Sequence, residues 1–185
     1  MEATTENETP SLPNHAIRFG TILGGIAIAL TVIAYVVDPT FMVTFKFIGL
    51  SFALGIGIVI YAGINYRTEI GGYLSYGQAF THGFIVLAVS GLINALFGIL
   101  LFTVIDPDLS QKMMEAIITN TEDMMAGFGA PQSSIDQTID GLRTELPGQF
   151  TMVGQVITFG KGLIAYAVIA LITSLFTRKN IPLEM

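Results

Sequence analysis

Residues 71–105 read GGYLSYGQAFTHGFIVLAVSGLINALFGILLFTVI, and the change of character inside this stretch decides the fold. Its first thirteen positions hold four glycines, two tyrosines and Ser75, Gln78, Thr81 and His82. From Ala79 to Ile105 there is then no charged residue. A helix needs about 20 mostly apolar residues to cross roughly 30 Å of hydrocarbon. The stretch therefore reads as the polar start of a transmembrane helix followed by its apolar body.

Three further segments are equally poor in charge: Phe19 to Val37, Phe47 to Tyr66, and Met152 to Thr177, which holds Lys161 as its one charge. With 52% hydrophobic and 12% charged residues in 185, little is left for a soluble core. The expected fold is all-α: an integral membrane bundle of four helices at about 19–37, 47–66, 79–105 and 152–177. Residues 1–14 are polar and short of aliphatics, so a disordered tail is expected there, with the transmembrane domain at 15–180. The acidic residues before the first span and the lack of a small-x-small site after it argue for a retained anchor over a cleaved signal. The absence of cysteine excludes disulfides and thiol chemistry.

Charge concentrates between the third and fourth spans. Asp106, Asp108, Glu115, Glu122, Asp123, Asp136, Asp140 and Glu145 oppose only Lys112 and Arg143, a balance of −6 that equals that of the whole chain. Such a segment repels nucleic acid and anionic headgroups, so no nucleic-acid partner is expected. Nearly fifty residues without structure would be unusual. Met113, Ile117 and Met124, and later Ile135, Ile139 and Leu142, recur at helical spacing. Two short amphipathic helices over about 106–147 are expected, the first capped by Asp106 with Pro107 at its first position, the second starting at Ser133 or Ser134. Their apolar stripes call for a cover: each other, the membrane surface, a protein partner or a second copy.

"VVDPT" closes the first span and "VIDPD" the third, placing Asp38-Pro39 and Asp106-Pro107 at equivalent points on one membrane face. The pair reads either as a duplicated hairpin or as a common device for ending one helix and starting the next. With both termini inside, the cytoplasmic side carries Arg18, Arg67, Arg178 and Lys179, against Lys46, Lys112 and Arg143 outside. The excess of inner cations favours cytoplasmic termini and an external acidic segment.

At the start of the third helix, Ser75 and Gln78 form a capping box, with Leu74 and Ala79 at the staple positions. Tyr66, Tyr73, Tyr76 and Phe80 suit an interfacial aromatic anchor. His82 lies one turn deeper. It reads either as a proton relay or pH sensor, or as a hydrogen bond to a neighbouring helix. Ser90, Asn94 and Gly98 step by four, as do Gly20 and Gly24, Ser51 and Gly55, and Ala53 and Gly57. Small residues at that spacing suit close helix packing, with Asn94 bonding across the contact. Lys161 can snorkel to the interface or pair with Asp38 or Asp106.

The combination of "GGYLSYGQAF-x-x-G", "IDPDL" and a long polar connection before a fourth helix resembles the bacterial membrane proteins grouped as domain of unknown function (DUF) 4199. The resemblance covers roughly residues 14–180. It implies a four-helix protein of the bacterial inner membrane and brings no activity, ligand or catalytic residue. The residues themselves agree: there is no H-E-x-x-H, G-x-S-x-G or phosphate-binding loop, and no nucleophile and base can be paired. No cofactor is expected, and the paired methionines serve better as apolar filler than as copper(I) ligands. Two functions remain: a non-enzymatic membrane protein whose acidic helices meet a partner or close the bundle, and a small oligomeric transporter or channel using His82, Asn94 and Lys161.

Overall fold

A computed structural model describes residues 11–180 of the chain. Its helices are α1 (Leu12–Val37), α2 (Phe45–Glu69), α3 (Tyr76–Leu100), α4 (Leu109–Gly127), α5 (Gln132–Gln149) and α6 (Met152–Thr177). A 3-10 helix, Pro39–Val43, joins α1 to α2, and α3 runs on as a π-helical turn, Leu101–Ile105. Four of these helices, α1, α2, α3 with its π turn, and α6, are long and apolar enough to cross a membrane. The chain is thus a multi-pass membrane protein by length and apolarity. Their outer faces carry apolar side chains such as Ile33, Phe52, Leu96 and Ile164, as lipid contact requires.

The first helix begins earlier than its charge-free segment suggests. Residues 11–14 were expected in the disordered tail, of which residues 1–10 lie outside the described residues. Instead α1 starts at Leu12, with Pro13 in the first turn, where its missing N–H has no role to lose. Leu12 packs against Tyr66, Leu74 and Ala79, so tertiary contact extends the helix seven residues beyond Phe19. This extension carries His15 into the bundle.

Helix α3 is the centre of the assembly, packed along α1 on one side and α6 on the other, with α2 bordering all three. Small residues set the spacing. A methyl group on Gly20 would lie 2.8 Å from the carbonyl oxygen of Val86, and one on Gly63 would lie 2.6 Å from Thr177. The same spacing on α2 does not do this work: nothing lies within 4 Å of a methyl placed on Gly55 or Gly57. The packing expected of Ser51-x-x-x-Gly55 and Ala53-x-x-x-Gly57 is therefore absent, because that face of α2 has no helix opposite it.

At one end of the bundle, α4 follows the π turn and packs against the 3-10 helix and α5. Leu101, Leu109 and Met113 form a buried cluster with Tyr35, Met42, Phe97 and Phe150 around it. The helix boundaries differ from expectation by a residue or two. Pro107 stands in the turn before α4 and not at its first position, while Pro147 sits inside the last turn of α5.

Candidate functional site

The opposite end of the bundle holds the polar side chains of the interior. Gly71 and Gly72 turn the chain after α2 at φ +96° and +90°, a conformation that favours glycine. Ser75 then caps α3: the amide of Gln78 donates to Ser75 Oγ at 3.3 Å, and the amide of Ser75 donates to Gln78 Oε1 at 3.1 Å. The backbone of Leu74 pairs with that of Lys179 through two bonds of 2.9 Å, tying this turn to the end of α6. Arg67 donates to the carbonyl of Thr177 at 3.0 Å, and Tyr76 to that of Leu171 at 3.1 Å. Arg178 and Lys179 lie over the rings of Tyr76 and Tyr73. These contacts fix three helix ends, those of α2, α3 and α6, around one interior space.

His82 occupies that space at 1% exposure, and it does not stand alone. Its Nε2 lies 2.9 Å from Nδ1 of His15, itself 3% exposed. His15 Nε2 is 3.0 Å from Asn65 Oδ1 and 3.8 Å from the carboxylate of Glu69. As an acceptor, Asn65 Oδ1 requires the proton of His15 on Nε2, and the Glu69 carboxylate beyond it favours the same placement. His15 Nδ1 is then an acceptor, and His82 donates to it from Nε2–H. The remaining lone pair, on His82 Nδ1, is buried without a hydrogen-bond partner. Rings enclose the pair: His15 stacks on Phe19 at 4.7 Å, and His82 stacks on Tyr66 at 5.2 Å with an interplanar angle of 14°. Tyr66 therefore faces inward, not into the interfacial anchor expected of it.

The other polar candidates do not join this site. Asn94 lies twelve residues along α3 from His82, about 18 Å at helical rise, and its Nδ2 donates to Ser90 O at 2.8 Å within its own helix. The expected bond across the helix contact does not form, since the carbonyl one turn back is nearer. Asn94 lines a cleft of about 200 Å³ between α3 and α6 with Gly91, Gln155, Thr158 and Tyr166. Lys161 lines a neighbouring cleft of about 600 Å³ with Glu145, Gln149 and Thr158, and makes no ion pair among the described residues. Its expected partners are engaged elsewhere. Asp38 Oδ1 accepts from the amide and hydroxyl of Thr40. Asp106 accepts from the amide of Leu109 at 3.1 Å and from the hydroxyl of Tyr35 at 3.1 Å. Both Asp-Pro pairs thus end one helix and start the next turn.

His15, Asn65 and Glu69 are the residues that sequence reasoning missed. The available signal was position: both histidines of the chain stand one turn or so inside helix starts that share a membrane face. No group of three or more metal-ligating side chains occurs among the described residues.

The chain belongs to the family described as protein of unknown function (DUF4199), which matches residues 18–179. His82, Asn94 and Lys161 fall within the matched segment, and His15 just precedes it. No curated protein and no solved structure matches the chain.

Proposed function

We propose that this member of an unknown-function family is a non-enzymatic protein of the bacterial inner membrane whose acidic α4–α5 hairpin closes the outer end of the bundle. The observation that carries the reading is where the apolar stripes go. Leu109, Met113, Ile135, Ile139 and Leu146 are all buried, so the two helices cover one another and the bundle end. Glu115, Glu122, Asp123, Asp136, Asp140 and Glu145 are exposed on the other side. A charged outer surface over a greasy underside suits a lid facing water, with its acidic face available to a protein partner. Arg67, Arg178 and Lys179 at the opposite end favour cytoplasmic termini.

Replacing residues 108–146 with a short flexible linker tests the reading. The four spans should still insert, and a cysteine placed at Met42, beneath the hairpin, should become reactive to a membrane-impermeant maleimide. Failure of the spans to insert would make the hairpin part of the fold's core and overturn the proposal. The transporter reading is weaker, because His82, Asn94 and Lys161 do not converge on one pathway.

A further inference from the structure

We propose that the cleft between the end of α5 and the first turns of α6 binds a zwitterionic aminophospholipid, with the lipid phosphate on Lys161 and its ammonium on Glu145. The inference goes beyond the hairpin's role as a lid and holds whichever face of the membrane the hairpin occupies. It rests on the order of charges along one cavity.

The cleft has a volume of about 600 Å³, and Glu145 and Lys161 are the two charged residues that line it. Glu145 belongs to α5, before the chain turns into the last span, and so stands at the water-facing mouth. Lys161 lies nine residues beyond Met152, about 14 Å along α6 at helical rise. The two side chains line one space yet form no ion pair with each other. Arg143, the cation beside Glu145 in sequence, is engaged with Asp140 at 3.9 Å. An acid at the mouth and a base below it leave room for a ligand whose charges run in the opposite order. In a phosphoethanolamine headgroup the ammonium is outermost and the phosphate lies beneath it, across an ethylene bridge. Seated in the cleft, its ammonium donates to the Glu145 carboxylate, and the Lys161 ammonium donates to a phosphate oxygen. Such bonds gain strength at the edge of the hydrocarbon, where water is scarce.

The rest of the lipid meets a matching surface. Thr158 is shared with the adjoining cleft of about 200 Å³, where the Asn94 amide and the Tyr166 hydroxyl offer donors for ester carbonyls. Asn94 has a second amide proton beyond the one given to Ser90. Below Lys161 on the same face of α6, Ile164 and Val168 are exposed and give an acyl chain an apolar track toward the bilayer centre. A headgroup of zero net charge also suits the acidic hairpin above it, which repels anionic lipids.

Native mass spectrometry reads the preference directly. The full chain is released from micelles holding equal amounts of dioleoyl phosphatidylethanolamine, phosphatidylcholine and phosphatidylglycerol. Phosphatidylethanolamine should be retained over both others, because choline has no N–H for Glu145 and phosphatidylglycerol has no cation. Lys161→Gln should lower its retention about tenfold, the worth of one hydrogen bond to a charged group. Glu145→Gln should keep phospholipid bound but abolish the preference for ethanolamine over glycerol. Both positions are exposed, and a change of selectivity is a result that misfolding does not produce. Water-soluble glycerophosphoethanolamine at the same concentration should not displace the lipid. Its displacement of the lipid would make the ligand a soluble compound and overturn the proposal. Equal retention of the three lipids, unchanged retention in Lys161→Gln, or unchanged selectivity in Glu145→Gln would each overturn it as well.

Discussion

Replacing Gly20 with alanine tests the contact on which the bundle's order depends. The new methyl would stand 2.8 Å from the carbonyl oxygen of Val86, 2.8 Å from Cβ of Val89 and 3.0 Å from its Cγ1. Two of those neighbours are backbone or next to it, so α1 and α3 must separate along their whole shared face. Overpacking of this kind costs about 1–3 kcal/mol, against which alanine's helix preference returns about 0.5–1 kcal/mol. The net should be a loss of up to about 2.5 kcal/mol, a factor of up to roughly 70 in the folded-to-unfolded ratio. Pulse proteolysis across an SDS titration in mixed micelles measures it. Gly55→Ala provides the comparison: with nothing within 4 Å of the added methyl, alanine's helix preference acts alone and should raise stability by about 0.5–1 kcal/mol. Equal losses in the two variants would refute the assignment of α1 and α3 as close-packed partners and of this α2 face as unpacked.

Two further substitutions probe the two ends. Leu109→Ala removes a side chain that is 0% exposed beneath the hairpin. It should cost about 2–5 kcal/mol of local packing and expose a cysteine at Met42 to maleimide while the spans stay inserted. Ser75→Ala removes the hydroxyl that accepts from the amide of Gln78 and should lower stability by about 1 kcal/mol in the same SDS titration.

The four spans were legible because lipid imposes a simple demand, a run of apolar residues of fixed length, and charge marks where each run stops. The capping box of Ser75 and Gln78 was legible for a similar reason, since donor and acceptor lie three residues apart. What escaped was any feature that depends on which helix lies opposite. Gly20-x-x-x-Gly24 and Ala53-x-x-x-Gly57 are alike as strings, yet one meets α3 and the other meets no helix. Asn94 has a competing carbonyl on its own helix, and periodicity does not say which bond wins. His15 was hidden twice: it stands four residues before Phe19, where the charge-free segment begins, and its partner lies 67 residues away. The cover for the stripes of α4 and α5 was likewise open among four choices until α4 was seen against the 3-10 helix and α5.

Central to the account is a membrane protein with its histidine end and its acidic hairpin on opposite faces. The chain has no cysteine, so single cysteines at Thr68 and Ser133, both exposed, report on each end without background. In sealed right-side-out vesicles, an impermeant maleimide should label Ser133→Cys directly and Thr68→Cys only after permeabilisation. The mirror-image pattern would reverse the orientation. Labelling of both sites from the same side would contradict the four-span architecture itself.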